Sequence, residues 1–166
     1  MSNLIPNENT FLGWMVGAVG KKYGSTIVAA PTLAEINGAV DFTDYLITFN
    51  ASATGNTVPT PRIKSLFETN IPGTSAATLT GDFYRDDEID LVWDALPRGV
   101  RGAFVLQRFG GTGGAGRPAP AQKTEIWPIQ VVSRAGSALQ SGAAQMFTLT
   151  GSVPHEPAES YVVPAV

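Results

Sequence analysis

Alternation with a period of two dominates this chain. Tyr45, Ile47 and Phe49 alternate with Leu46, Thr48 and Asn50. Ala77, Leu79, Gly81 and Phe83 alternate with Thr78, Thr80, Asp82 and Tyr84, and Phe104, Leu106 and Arg108 with Val105, Gln107 and Phe109. Near the end, Phe147, Leu149, Gly151 and Val153 alternate with Met146, Thr148, Thr150 and Ser152. Successive side chains of a strand point to opposite faces, so each stretch predicts a half-buried strand. Thr26–Ala29 is apolar and β-branched, a further short strand. Ile126–Val132 is almost continuously apolar but is broken by Pro128, which predicts an edge strand or a bulge. TLAEING, after Pro31, has room for a short helical turn. With 18 Gly and 12 Pro as punctuation, the pattern predicts a mainly β fold, an antiparallel sandwich or barrel.

One stretch, DDEIDLVWDALP, breaks this rhythm. Ile89, Val92, Trp93 and Leu96 fall at i, i+3, i+4 and i+7, one apolar face of a helix over about residues 87–96, with these four as its core anchors. Pro97 and Gly99 end it. The same helix accounts for the carboxylates crowded before it. Asp86 or Asp87 serves as N-cap, and Asp87, Glu88 and Asp90 sit by the positive end of the helix dipole. A metal-dependent hydrolase built on Asp86, Asp87, Asp90 and Asp94 is the sharper alternative. DDEID has neither the glycine nor the closing glutamate of a calcium loop, and one histidine, His155, cannot make a His-rich site. No catalytic, metal or cofactor-binding residue is expected.

Residues 1–23 predict an N-terminal arm ahead of a domain over 24–166. The arm carries Phe11, Leu12, Trp14 and Met15, which are costly to expose and are expected to dock on a neighbouring subunit. Between two predicted strands lies FGGTGGAGRPAPA. It lacks the Gly-Lys-Ser/Thr of a phosphate loop and leads into a strand, so 110–121 reads as a long hairpin loop. Loops of this length are unusual in compact domains unless a partner orders them. Gly110, Gly111, Gly113, Gly114 and Arg117 are therefore further candidates for inter-subunit contact.

Composition sharpens this. Only 15% of residues are charged, against about 25% in ordinary soluble domains, which favours an oligomer. The net charge of −3 and the absence of a basic run speak against a DNA-gripping protein. There is no cysteine. The apolar run over residues 11–20 is too short to span a bilayer and has no basic segment before it, so no membrane association is expected, and synthesis and assembly in the cytoplasm are. A decoration or carbohydrate-binding sandwich is the other alternative, but the loop tips are Gly, Ala and Pro rather than aromatic.

PTLAEINGAVDFTDYL, FYRDDEIDLVWDALPRGVRGAFVLQRFGG, EIWPIQVVSRA and AQMFTLTGSVPHEPAE, in this order, resemble the major tail tube protein of long-tailed bacteriophages, particularly those of actinobacteria. RDDEIDLVWDALPRGVRG carries the resemblance most specifically, and the likeness covers roughly residues 30–160. It implies a β-sandwich with one flanking helix, a structural virion protein with no enzymatic activity and no cofactor. It further implies hexameric rings stacked into a hollow tail, with one sheet of each subunit joined to its neighbours around a lumen that conducts genomic DNA during ejection. The implied partners are further copies of the chain, a tape measure protein, a tail terminator and tail tip or baseplate proteins, with only transient passage of double-stranded DNA. Thr78, Thr80 and Asp82 on one strand, and Thr148, Thr150 and Ser152 on another, are candidates for the wet, lumen-facing surface.

Overall fold

The computed structural model describes residues 10–17, 21–23, 26–28, 30–60 and 69–165. Ten strands and two short helices follow in order: β1 (Phe11–Val16), β2 (Lys21–Tyr23), β3 (Thr26–Val28), α1 (Leu33–Asn37), β4 (Val40–Asp41), β5 (Leu46–Thr60), β6 (Thr69–Tyr84), α2 (Leu91–Ala95), β7 (Arg101–Gln107), β8 (Lys123–Gly136), β9 (Met146–Ser152) and β10 (Ala158–Val162). β2 and β3 pair as a separate hairpin. The rest form one antiparallel sheet in the order β4-β1-β7-β8-β9-β6-β5, with β10 added on β8.

That sheet rolls over on itself. Phe49 of β5 and Phe104 of β7 lie four strands apart in the sheet order, yet their rings meet edge to face at 5.3 Å. Phe42, just past β4, contacts Phe104 at 6.3 Å and Phe83 of β6 at 6.2 Å. The enclosed core holds Leu12, Trp14, Leu79, Phe83, Phe104, Leu106, Trp127, Ile129, Val131, Phe147 and Leu149, contributed by alternate positions of five strands. Burial of alternate apolar side chains on one face is what drives such a sheet to close.

The sequence expectation for the arm needs correction. Residues 11–16 form a strand between β4 and β7, with Trp14 opposite Val40 on one side and Phe104 on the other. Phe11, Leu12, Trp14 and Met15 are buried inside their own subunit, so they are unavailable to dock on a neighbour, and the domain boundary at residue 24 falls away. The physical reason is two-sided burial. Leu12 and Trp14 face the enclosed core, whereas Met15 faces a second cluster on the outside of the sheet with Ile36, Ala39, Ala103, Val105, Ile126 and Val163. Residues 1–9 of the expected arm lie outside the described residues.

This second cluster covers half of the sheet's outer face. α1 starts at a capping box, in which Thr32 accepts from the Glu35 backbone and the Glu35 carboxylate accepts from the Thr32 N–H, satisfying two otherwise orphaned donors. The segment around β10 closes the cluster with Val163, and the Tyr161 hydroxyl donates to the Pro31 carbonyl at 2.6 Å.

α2 is shorter than expected. It spans Leu91–Ala95 rather than 87–96, and Asp90 at its N-cap makes no capping bond. Instead the Asp90 carboxylate accepts from Arg85, and Asp86 accepts from the Glu88 N–H in a local turn, which diverts the chain before a longer helix can start. Val92 and Leu96 are buried in the core, whereas Ile89 is 67% exposed. Trp93 is half-buried: its ring meets Phe147 at 5.0 Å and carries the guanidinium groups of Arg85 and Arg134 at 4.2 and 4.0 Å.

Pro128 marks neither an outer edge nor a bulge. β8 is central, pairing with β7 along one side. On the other side it pairs with β10 over residues 123–126 and with β9 from Gln130 onward. The Val131 N–H points to the β7 side, donating to Val100; by alternation, position 128 points to the other side, into the gap between the two partners. The missing N–H of Pro128 therefore breaks no ladder bond.

Candidate assembly surface

The outer face divides into a covered half and a bare half. Over β1, β7 and the first part of β8 lie α1 and the segment around β10. Over β5, β6, β9 and the last part of β8 the face is open. There the register aligns polar side chains into three rungs: Thr48–Asp82–Thr148, Asn50–Thr80–Thr150 and Ser52–Thr78–Ser152. Ser133 extends the second rung and Gln130 the third. The six residues proposed from sequence, Thr78, Thr80, Asp82, Thr148, Thr150 and Ser152, thus share one face of one layer. Thr48, Asn50 and Ser52 belong to the same face. The alternation in residues 45–50 already carried that signal, but their place beside β6 depended on the register.

Asp82 is the single charge in these rungs. Thr148 and Thr48 each donate to its carboxylate at 2.6 Å, and those two bonds, Thr148 the larger, hold its pKa below the ordinary value of 3.8. Ser52 and Thr78 hydroxyls lie 3.4 Å apart. Tyr84 opposite Met146 ends the layer with an exposed apolar pair. The face is therefore wet and hydroxyl-rich, with the Asp82 carboxylate on one rung and the exposed Arg101, opposite Gln130 in the register, at the border of another.

Two edges of this layer are open. Among the described residues β5 pairs only with β6. At the other side, β7 leaves β8 at the Arg101–Gln130 pair, so the backbone edge of 132–136 that faces away from β9 has no strand beside it among the described residues. Beyond the body, β5 and β6 continue together as a projecting two-stranded ribbon, because β9 reaches only residues 78–84 of β6.

The glycine-rich loop is built onto its own subunit. Arg117 donates to the carbonyls of Ile36 and Ala39 at 3.2 and 2.9 Å and stacks on Phe11 at 5.1 Å. The Gln122 side-chain carbonyl accepts from Thr112 and Ala119. Gly111 has no room for a side chain, since a Cβ would collide with the carbonyl oxygens of Gly116 and Arg117. Arg117 thus fastens the loop over α1, and Gly110, Gly111 and Gly113 are half-covered while Gly114 is exposed.

The acidic stretch assembles no metal centre. No group of three or more His, Asp or Glu side chains gathers among the described residues. Nor does any described helix have the length and apolarity to cross a membrane.

The family model described as "Phage tail tube protein" matches residues 23–166. The chain belongs to that family. Its role is structural, as a component of the tail tube within a virion particle, and the family is not enzymatic. Solved structures agree in fold. A chain of the sheath–tube complex of the extracellular contractile injection system PVC, in its extended state, is similar with a TM-score of 0.60 at 11% identity, covering 98% of this chain and 95% of that one. A chain of a native gene transfer agent virion gives 0.57 at 9% identity, covering 95% and 99%. A chain of the anti-feeding prophage baseplate, six-fold symmetrised, gives 0.55 at 9% identity, covering 99% of each. No curated protein matches. Tail tube proteins assemble with copies of themselves into stacked rings in tubes.

Proposed function

We propose that six copies of this tail tube protein form a ring, that rings stack into the hollow tube of a long, non-contractile phage tail, and that the layer of β5, β6, β9 and the end of β8 faces the lumen. The observation that carries this reading is a polar layer flanked by two unpaired edges. Joining β5 of one copy to residues 132–136 of β8 in the next removes both edges and continues the rungs around a closed barrel. A hydroxyl-rich wall whose charges are one Asp82 per copy and one Arg101 at its border is close to neutral and holds phosphate only weakly, so double-stranded DNA slides through during ejection.

Partners at the two ends and inside are a tail terminator, tail tip or baseplate proteins, and a tape measure protein, met during assembly in the host cytoplasm. The exposed turn of the glycine loop at Gly114 is a contact to the next ring. The test is negative-stain electron microscopy beside analytical ultracentrifugation of the purified chain. Hollow tubes or six-fold rings are expected. A monomer that stays monomeric when tip and tape measure proteins are supplied refutes the reading.

A further inference from the structure

The projecting ribbon poses a problem of its own. Among the described residues, 53–60 and 69–77 pair only with each other, so neither outer edge has a strand beside it there, a template for uncontrolled strand addition. Charged side chains are the usual guard. Here residues 46–60 and 69–77 contain no Asp, Glu, Lys or Arg at all.

Other guards are present. Thr57 faces Pro72, and Pro59 faces Asn70. A proline has no N–H to give to the strand opposite, so both pairs are of the non-hydrogen-bonded kind, and the amide positions of residues 59 and 72 point away from the ribbon, one to each outer edge. The register also shifts between Gly55–Ser75 and Thr57–Pro72, leaving Gly73 and Thr74 opposite Asn56 alone, a bulge beside Pro72. On β5 the outward-pointing donors thus run out at Thr57.

We propose that Pro59, Pro72 and the bulge are stops. They confine backbone pairing between copies to the proximal part of β5, residues 46–57, and keep the ribbon beyond it from pairing at all, leaving it to be covered by a second copy through side-chain packing. The kind of guard is the argument for that occupant. A lysine blunts an edge equally well but is expensive to bury. Proline and a bulge blunt the ladder and can still be covered. The occupant, though not the stops, rests on the ring reading above.

The test compares the wild-type chain with Pro59→Thr, Pro72→Thr and the double variant, with Pro154→Thr outside the strands as control. Unassembled subunits at equal concentration are followed by light scattering and thioflavin T fluorescence, with circular dichroism to confirm folding. The double variant is expected to shorten the aggregation lag several-fold and to give thioflavin-positive material, and adding Thr57→Lys to it is expected to restore the lag. An unchanged lag in a folded double variant overturns the proposal. So does loss of the native spectrum in both single variants, because substitution at an outward amide leaves a folded subunit intact. Tube formation by the wild type is scored separately, with tip and tape measure proteins supplied: a shortened lag without wild-type tubes there keeps the stops and removes the ring reading.

Discussion

The contact between Phe49 and Phe104 reports on whether the sheet closes, because four strand-to-strand steps separate β5 from β7 along the ladder and only the roll brings the rings to 5.3 Å. Phe104 is fully buried and also meets Trp14 at 4.8 Å, so Phe104→Ala should cost about 4 kcal/mol, in the range for buried aromatic truncation. For a chain of this size that lowers Tm by roughly 8–16 °C. Phe49 is only half-buried, and Phe49→Ala should cost about 2 kcal/mol, less than a full truncation. The informative quantity is the coupling. An edge-to-face pair contributes about 0.5–1.5 kcal/mol beyond its buried area, so the double variant should be less destabilised than the sum by about 1 kcal/mol. Urea unfolding monitored by the fluorescence of Trp14, Trp93 and Trp127 measures all four corners of the cycle, at a concentration where sedimentation shows a monomer, since assembly would add its own stabilisation. A coupling below about 0.3 kcal/mol with unchanged m-values would refute the closed roll.

Three further outcomes are expected. Gly102→Ala should lower Tm by about 2–12 °C, from an overpacking cost of about 1–3 kcal/mol, because a Cβ there collides with the Met15 carbonyl oxygen and lies 2.7 Å from the Trp14 ring; thermal unfolding checks it, with a Gly151→Ala change, whose nearest neighbour is Ile129 at 3.2 Å, as the milder comparison. The depressed pKa of Asp82 makes its charge a stabilising one above the unfolded-state value near 3.8, and that stability is lost as pH falls through the lower folded value; a carboxyl NMR titration should show Thr148→Val raising the pKa more than Thr48→Val, and no change in either would remove the hydroxyl clamp. Thr80→Lys places one added cation per copy on the polar layer, so tubes should still form while DNA release slows most at low salt; release at unchanged rate would place the layer elsewhere than the lumen.

What was legible in the sequence follows from which faces are solvated. β6 and β9 each have one face in the core and the other open, so they alternate cleanly and were readable. β1 is covered on both faces, and FLGWMV therefore reads as an apolar run without period, open to interpretation as a sticky arm. The described side chains of the ribbon are exposed apart from Ala77 at its base, which packs against the core. Its Ser, Ala, Thr, Gly and Asn positions show no alternation of hydrophobicity, which hid the length of β5 and the return of β6. The acidic start of α2 looked like a helix cap, but Arg85 claims Asp90, an ion pair that helical periodicity does not encode. The polar rungs were half legible: composition marked two strands as hydroxyl-rich, while register alone placed Thr48, Asn50 and Ser52 beside them.

The exchange of partners along β8 has a mechanical consequence. Because this strand lies in the covered layer before Pro128 and in the polar layer after it, the two halves of the wall are joined by a continuous covalent backbone rather than by packed side chains alone. When a tail flexes, its inner surface is compressed on one side and stretched on the other. With the polar layer as the lining, as proposed above, strain it takes up is passed outward along one chain, so lining and outer cladding deform together and resist peeling apart.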